Sequence, residues 1–237
     1  MGRSRPYLLS LSLLLGTVLR AQPCAISIGN DTTICQGQFV TLSAPPGFPG
    51  YLWSTGSTNP SITVSAAGTY WGEAIYPSGQ LFPNSDFSAG NTGFSSGFTA
   101  STTLTSDGNY WIGTNPNSYH GQFFGTGSGN FMIVNSGWPS ALWNVYCQNV
   151  TVCPGQTYTM SYRARTISNA TPARLQWWID GAPVGPEVTL PAFNAGWQTV
   201  TQTWTSGAGV TNANLCLRVM SGEGVGNDFG LDDITMQ

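Results

Sequence analysis

Tyr158-Thr-Met-Ser-Tyr-Arg-Ala-Arg165 alternates without a break: Tyr158, Met160, Tyr162 and Ala164 fall on one side, Thr159, Ser161, Arg163 and Arg165 on the other. Successive side chains of a strand point to opposite faces, so this stretch reads as a strand with one face in a core and one in water. Arg174-Leu-Gln-Trp-Trp-Ile179 repeats the pattern, setting Leu175, Trp177 and Ile179 against Arg174, Gln176 and Trp178. No window carries a 3.6-residue period, and Gly and Pro recur too often for long helices. An all-β chain is expected, built from sheets with one apolar and one polar face.

Working towards the N-terminus, short apolar runs recur at Ala25–Ile28, Phe39–Leu42, Tyr51–Trp53, Ser61–Val64 and Thr69–Trp71, punctuated by Gly, Pro, Asn and Asp. These read as strands joined by turns. Before them, Arg3 and Arg5 precede an apolar stretch from Leu8 to Leu19 and the small residue Ala21. That is the pattern of a secretory signal peptide over 1–21, and the stretch is short of the roughly 20 residues of a membrane span. Three units are expected: the leader 1–21, a small β domain over 22–79 and a larger β-sandwich over 80–237.

Once the leader is removed, four arginines face ten carboxylates, and the chain has no lysine. A nucleic-acid footprint is therefore excluded, and no later segment suits membrane insertion. Charged residues make up only 7% of the chain against 41% hydrophobic, which suits extracellular β-structure with a neutral polar surface and enough apolar content for a core.

If Gly29-Asn30 forms a two-residue hairpin turn, Cys24 faces Cys35 across the strands at a Cα separation of about 4.5–5.5 Å, which a disulfide spans. Pro23 stands where a lipid-modified cysteine takes a small residue, so Cys24 is assigned to that disulfide. Cys147 and Cys153 flank a predicted strand about 20 Å long, too far to bond each other. Cys216, on the face opposite Leu215, Leu217 and Val219, is matched with Cys147; Cys153 is left over, or exchanges roles with Cys147.

Two motifs bracket the larger domain: Asn84-Ser-Asp-Phe-Ser-Ala-Gly90 and Asn227-Asp-Phe-Gly-Leu-Asp-Asp-Ile234. Together with Gln148–Val152, Pro154–Tyr158 and Trp197–Trp204, they resemble the galactose-binding-like jelly roll of CBM4/9-type carbohydrate-binding modules in secreted Bacteroidetes-type proteins, the two motifs matching its first and last strands. Gly29–Gln38, Trp53-Ser-Thr-Gly56 and Gly68-Thr-Tyr70 resemble the small Ig-like or PKD-like repeats of the same proteins. The resemblance implies an Ig-like β-sandwich, with Trp53 in its core and Tyr70 as a corner tyrosine, followed by a jelly-roll β-sandwich. It also implies a structural Ca²⁺ at the rim where the end strands meet, held by Asp86, Asp232 and Asp233, although Ser88 stands where many members carry Glu. Carboxylate oxygens suit that ion.

Sugar in such modules is held by aromatic rings and by Arg, Asn and Gln hydrogen bonds. The polar faces derived above offer Arg163, Arg165, Arg174, Gln176 and Trp178, and an outward tryptophan on a half-polar strand makes Trp178 the first candidate. Tyr110–Trp143, read as Gly- and Asn-rich loops, adds Trp111, Tyr119, Trp138 and Trp143 for ligand contact or packing. Trp177, Trp197 and Trp204 are assigned to the core.

Catalytic patterns are thin. His120 is the only histidine and no Gly-x-Ser-x-Gly elbow accompanies it, while Asp107, Asp180, Glu187 and Glu223 read as turn or loop residues without a pairing. The expectation is a secreted or cell-surface, non-catalytic protein that binds poly- or oligosaccharide. The alternative is a structural or adhesive cell-surface protein that contacts other proteins. The two differ in whether the Arg174, Gln176 and Trp178 face is open or is covered by Tyr110–Trp143.

Overall fold

The computed structural model describes residues 22–76, 79–137, 143–220 and 226–237. The leader 1–21, Trp138 and Glu223 lie outside them. Residues 22–76 form β1 (Gln22–Ala25), β2 (Val40–Ser43), β3 (Gly50–Trp53), β4 (Ser61–Val64) and β5 (Gly72–Tyr76). These pair as a three-stranded sheet, β1-β5-β3, and a two-stranded sheet, β2-β4. Trp53, Ile62 and Val64 are buried with Ile28, Val40, Leu42 and Tyr70 packed around them. The Trp53 indole is satisfied by donating to the Asn59 carbonyl at 2.7 Å, and the Tyr70 hydroxyl donates to the Ala66 carbonyl at 3.0 Å.

The expected hairpin at Gly29-Asn30 does not form, and Cys24 does not meet Cys35. The stretch from Ile26 to Phe39 has no strand, because its Asn, Asp, Thr, Gln and Gly residues have little to bury. Cys24 lies in β1, whose partner is β5, and it bonds Cys153 with a Cα–Cα distance of 5.6 Å, while Cys35 is exposed and free.

Ten further strands follow: β6 (Thr99–Ala100), β7 (Asn109–Gly113), β8 (Phe131–Asn135), β9 (Trp143–Thr151), β10 (Thr157–Thr166), β11 (Arg174–Ile179), β12 (Ala182–Thr189), β13 (Gln198–Thr205), β14 (Asn212–Val219) and β15 (Phe229–Met236). They build a six-stranded sheet in the order β13-β10-β15-β8-β7-β6 and a four-stranded sheet in the order β12-β11-β14-β9. All pairs are antiparallel except the short β6–β7 pair. Ser95 and Cys147 exchange both backbone hydrogen bonds, which adds the chain around Ser95 to the outer edge of β9.

Between the sheets, Tyr158, Met160, Tyr162 and Ala164 of β10 meet Leu175, Trp177 and Ile179 of β11 and Leu215, Leu217 and Val219 of β14. Trp177 stacks on Phe82 with ring centroids 6.3 Å apart and meets the edge of Tyr162 at 6.0 Å. Burying each such side chain stabilises the fold by about 1.5–3 kcal/mol, which is why the inward positions alternate so strictly.

The closing motif is a strand, β15, but the opening motif is not. Asn84–Gly90 is a run of turns laid along β15, tied to it by Ile234 N–H to the Ser85 carbonyl at 2.9 Å, and the chain just before the run is tied by Leu81 N–H to the Met236 carbonyl at 2.8 Å. Asn84 and Phe87 adopt left-handed backbone (φ 52° and 54°). The Asn84 side chain holds the loop by donating to the carbonyls of Gly90 and Thr92 and accepting from Ala89 N–H, each at 2.8 Å. Phe87 is fully buried against Phe94 and Tyr146.

Tyr110–Trp143 is likewise not all loop, since it contains β7 and β8, with Trp111 opposite Ile133. On the outer surface of the six-stranded sheet it closes a second core of Leu104, Phe123, Phe131, Ile133 and Ile167, with Trp111, Tyr119 and Trp197 packed against it.

The small N-terminal sheets are fastened to the sandwich. Cys24, Phe48, Tyr51 and Ala74 belong to the same buried cluster as Val150, Val152 and Cys153, and Thr151 Oγ1 donates to the Gly47 carbonyl at 3.2 Å. No helix among the described residues is long and apolar enough to cross a membrane.

Candidate functional site

Trp177 and Trp178 are adjacent on β11, so strand geometry forces their indoles onto opposite faces. Trp177 fills the core, which leaves Trp178 half-buried on the outer face of the four-stranded sheet. Opposite it on β14 is Cys216, which bonds Cys147 of β9. The disulfide therefore lies in the floor of this face and ties the edge strand β9 to its central neighbour β14.

Arg218 is the side chain that shapes the face. Its guanidinium carbon stands 4.1 Å from the centroid of the Trp178 ring, and its Nε donates to Asn144 Oδ1 at 2.6 Å. Such a cation–ring contact is worth about 0.5–2 kcal/mol and fixes a side chain that is otherwise entropically loose. The Trp178 indole N–H donates to Gln176 Oε1 at 3.2 Å, and Gln176 Nε2 donates in turn to the Gly185 carbonyl at 2.8 Å. Arg174 closes one side with a 2.9 Å ion pair to Glu187, and Asn214 donates to Asn149 at 2.8 Å on the other. The result is an aromatic ring and a guanidinium held among neutral amides, a surface with many fixed donors and acceptors.

Arg218 and Asn144 were not singled out from the sequence. The available signal was their phase: Arg218 lies two residues past Cys216, on the side away from Leu215, Leu217 and Val219.

Arg163 and Arg165 do not join Trp178. They lie on β10, in the other sheet, and face out on the opposite side of the sandwich. There Arg163 pairs with Asp233 at 2.9 Å, and both guanidinium groups stand near Trp197, at 5.4 and 5.8 Å from its centroid. Trp111 and Tyr119 pack against the second core on that side. Within the described residues, the stretch Tyr110–Gly137 thus covers the six-stranded sheet and not the Trp178 face. Trp138 lies outside the described residues, as does the side chain of Trp143.

At the rim joining the end motifs, Asp232 is buried and its pKa is pushed up to about 6 by that burial, with the Asp233 and Asp86 charges adding to the rise. Asp233 turns its carboxylate to Arg163, and Asp86, which is exposed, accepts from Ser88 N–H at 3.1 Å, which lowers its pKa. Among the described residues no three His, Cys, Asp or Glu side chains are grouped to hold a metal ion. Asp232 alone here is a buried acid with the chemistry of a cation ligand.

These features define the class of protein as an all-β chain with a jelly-roll-like sandwich. No protein-family model and no curated protein matches it. Among solved structures it is similar to a cyclase from Fischerella sp. TAU, at 14% identity over 68% of this chain and 97% of that one, with a TM-score of 0.51. That likeness concerns the fold alone. It is also similar to TmCBM61, solved with β-1,4-galactotriose (14% identity, 68% and 99% covered, TM-score 0.44), and to a CBM4 (17%, 66% and 98%, TM-score 0.41). These last two likenesses are too weak to add to the fold assignment.

Proposed function

We propose that this is an exported, non-catalytic carbohydrate-binding protein whose four-stranded outer face receives a poly- or oligosaccharide. The observation that carries the reading is the pairing of Trp178 with Arg218 at 4.1 Å, set among Gln176, Asn144 and Arg174. A half-exposed indole offers an apolar plane for the C–H face of a pyranose, and the surrounding amide and guanidinium groups match ring hydroxyls. Export follows from the signal-peptide pattern of 1–21 and agrees with two disulfides, which persist in oxidising compartments.

The test is affinity electrophoresis and a glycan array with the mature protein, Trp178→Ala, and Arg163→Ala as a control on the opposite sheet. Binding to at least one polysaccharide, lost about tenfold or more in Trp178→Ala and kept in Arg163→Ala, supports the reading. Binding unchanged in Trp178→Ala, or none at all, removes it.

A second reading is favoured by one specific observation. Leu52 and Trp71 are 39% and 49% exposed on the outer side of the β3–β5 pair, and Phe39 is 71% exposed. Exposed apolar side chains of this size suit contact with another cell-surface protein, with the sandwich as an adhesive or structural unit. Calcium is proposed at the rim on Asp232, with Asp86 as the second carboxylate once it leaves its own turn.

A further inference from the structure

Outside the leader the chain has four arginines, and the fold treats them unequally. Arg163 and Arg174 are neutralised by Asp233 and Glu187, each at 2.9 Å. Among the described residues, Arg165 and Arg218 have no carboxylate partner. Arg165 is covered: its Nε is buried without a hydrogen bond, its Nη1 donates to the Thr126 carbonyl at 3.3 Å, and Gly125 lies so close that a Cβ there would collide with the guanidinium. Arg218 stands instead on the outer face of the four-stranded sheet, beside Trp178.

Register puts it there, opposite Gln176 of β11 and Asn144 of β9. Its Nε is spent on Asn144 Oδ1 at 2.6 Å, and its guanidinium carbon stands 4.1 Å from the centroid of the Trp178 ring. Arginine has five N–H donors, so these contacts use one of them. Nη1 and Nη2 make no hydrogen bond or ion pair with the described residues, and neither nitrogen is shut off from water. The ring and the amide hold the guanidinium still, and the edge left over, with its parallel N–H groups, is the geometry that a carboxylate or a sulfate takes in two hydrogen bonds.

Little on this face competes for that edge. The strands β9, β11, β12 and β14 carry one acid, Glu187, which pairs with Arg174, and the β11–β12 hairpin carries a second, Asp180. Asp180 accepts from Asn214 N–H at 2.9 Å and lies four residues beyond Gln176, about 13 Å along an extended strand. That exceeds the Debye length of about 10 Å at 0.1 M salt, so Arg218 is an uncompensated positive charge locally, although the whole chain is acidic. A neutral sugar that displaces water from this edge leaves the charge poorly satisfied, whereas an anionic group answers it. Because the edge stands beside an indole, the fitting anion is one carried on a sugar ring.

We propose that the polysaccharide received on this face is anionic, with a uronate carboxylate or a sulfate ester gripped by Nη1 and Nη2 of Arg218 while a sugar ring rests against Trp178. The proposal rests on the carbohydrate-binding reading and adds the class of substrate to it.

Affinity electrophoresis at low ionic strength tests it with two matched pairs: polygalacturonate against its methyl ester, and carrageenan against agarose. The expected result is binding about tenfold or more tighter for the charged member of one pair, and which pair shows it separates the carboxylate from the sulfate. That preference should be lost in Arg218→Gln and kept in Arg163→Gln, which removes the same charge from the opposite sheet. The melting temperature of each variant is measured alongside, and Arg218→Lys, which keeps the charge without the fork and should reduce the preference, serves if Arg218→Gln fails to fold. Equal binding of charged and neutral members, a preference that survives in folded Arg218→Gln, or one lost equally in Arg163→Gln overturns the proposal. Neutral polysaccharide bound through Trp178 without any preference for charge overturns it while leaving the carbohydrate-binding reading in place, and no binding of any polysaccharide removes both.

Discussion

Asp232 shows how one buried carboxyl converts into a dependence of stability on pH. Its pKa rises from 3.8 in the unfolded chain to about 6 in the fold, so the folded state holds this proton more tightly. Between about pH 4 and pH 6 the folded state therefore binds more protons than the unfolded one, and this residue's contribution to stability falls as pH rises through that window. Asp232→Asn removes the effect: its melting temperature relative to the parent is expected to climb from pH 4 to pH 6 and then level off. Calcium bound at Asp232 would offset the same loss, so the parent at pH 7 should melt higher in calcium than in EDTA, and Asp232→Asn should not respond. An absent calcium response in the parent would end the calcium proposal while leaving the pH prediction standing. Arg218 is the other residue to probe, since it holds the Trp178 ring from one side. Arg218→Ala is expected to weaken polysaccharide binding about as much as Trp178→Ala, and Arg218→Lys to restore little, because an ammonium group lacks the planar fork that bonds Asn144 while lying on a ring.

Among the elements, β1 matters most for stability in relation to its length. Four residues long, it carries Cys24, whose bond to Cys153 closes a loop with a sequence separation of 129. In the loop-closure picture a link of that span stabilises by about 5 kcal/mol, and measured native disulfides fall at about 2–5 kcal/mol. Cys24→Ser should therefore lower the denaturation midpoint clearly, whereas Cys35→Ser should leave it unchanged. Mass spectrometry after alkylation without reduction should label Cys35 alone; label on Cys24 or Cys153 would contradict the pairing. The strand β11 shows how much of the site local geometry can reveal: its burial alternates as the sequence does, so Trp178 was legible as outward. What could not be read locally was its neighbour β14, which supplies Arg218, because that contact is a matter of sheet order.

For the whole molecule, the N-terminal sheets and the sandwich bury Phe48, Tyr51, Ala74 and Cys24 in one cluster with Val150 and Val152. A chain of residues 80–237 alone would expose that surface and lose the Cys24 bond, so it is expected to fold with a melting temperature lower by at least about 5 °C, given about 2–4 °C per kcal/mol at this size. An unchanged melting temperature would show that the joint is incidental. The all-β class, the inward sets on β10 and β11 and the opposition of Trp177 and Trp178 were determined by the sequence alone, because side-chain alternation in a strand is local geometry. Only the tertiary structure decided that β10 and β11 lie in different sheets, which parts Arg163 and Arg165 from Trp178. It also decided that Cys24 meets Cys153, that Asn84–Gly90 is a loop, and that Arg218 stands beside Trp178. The physical reason is common to all four: an amphipathic strand satisfies its alternation equally well in any sheet, and its partner is chosen by burial summed over segments far apart in the chain.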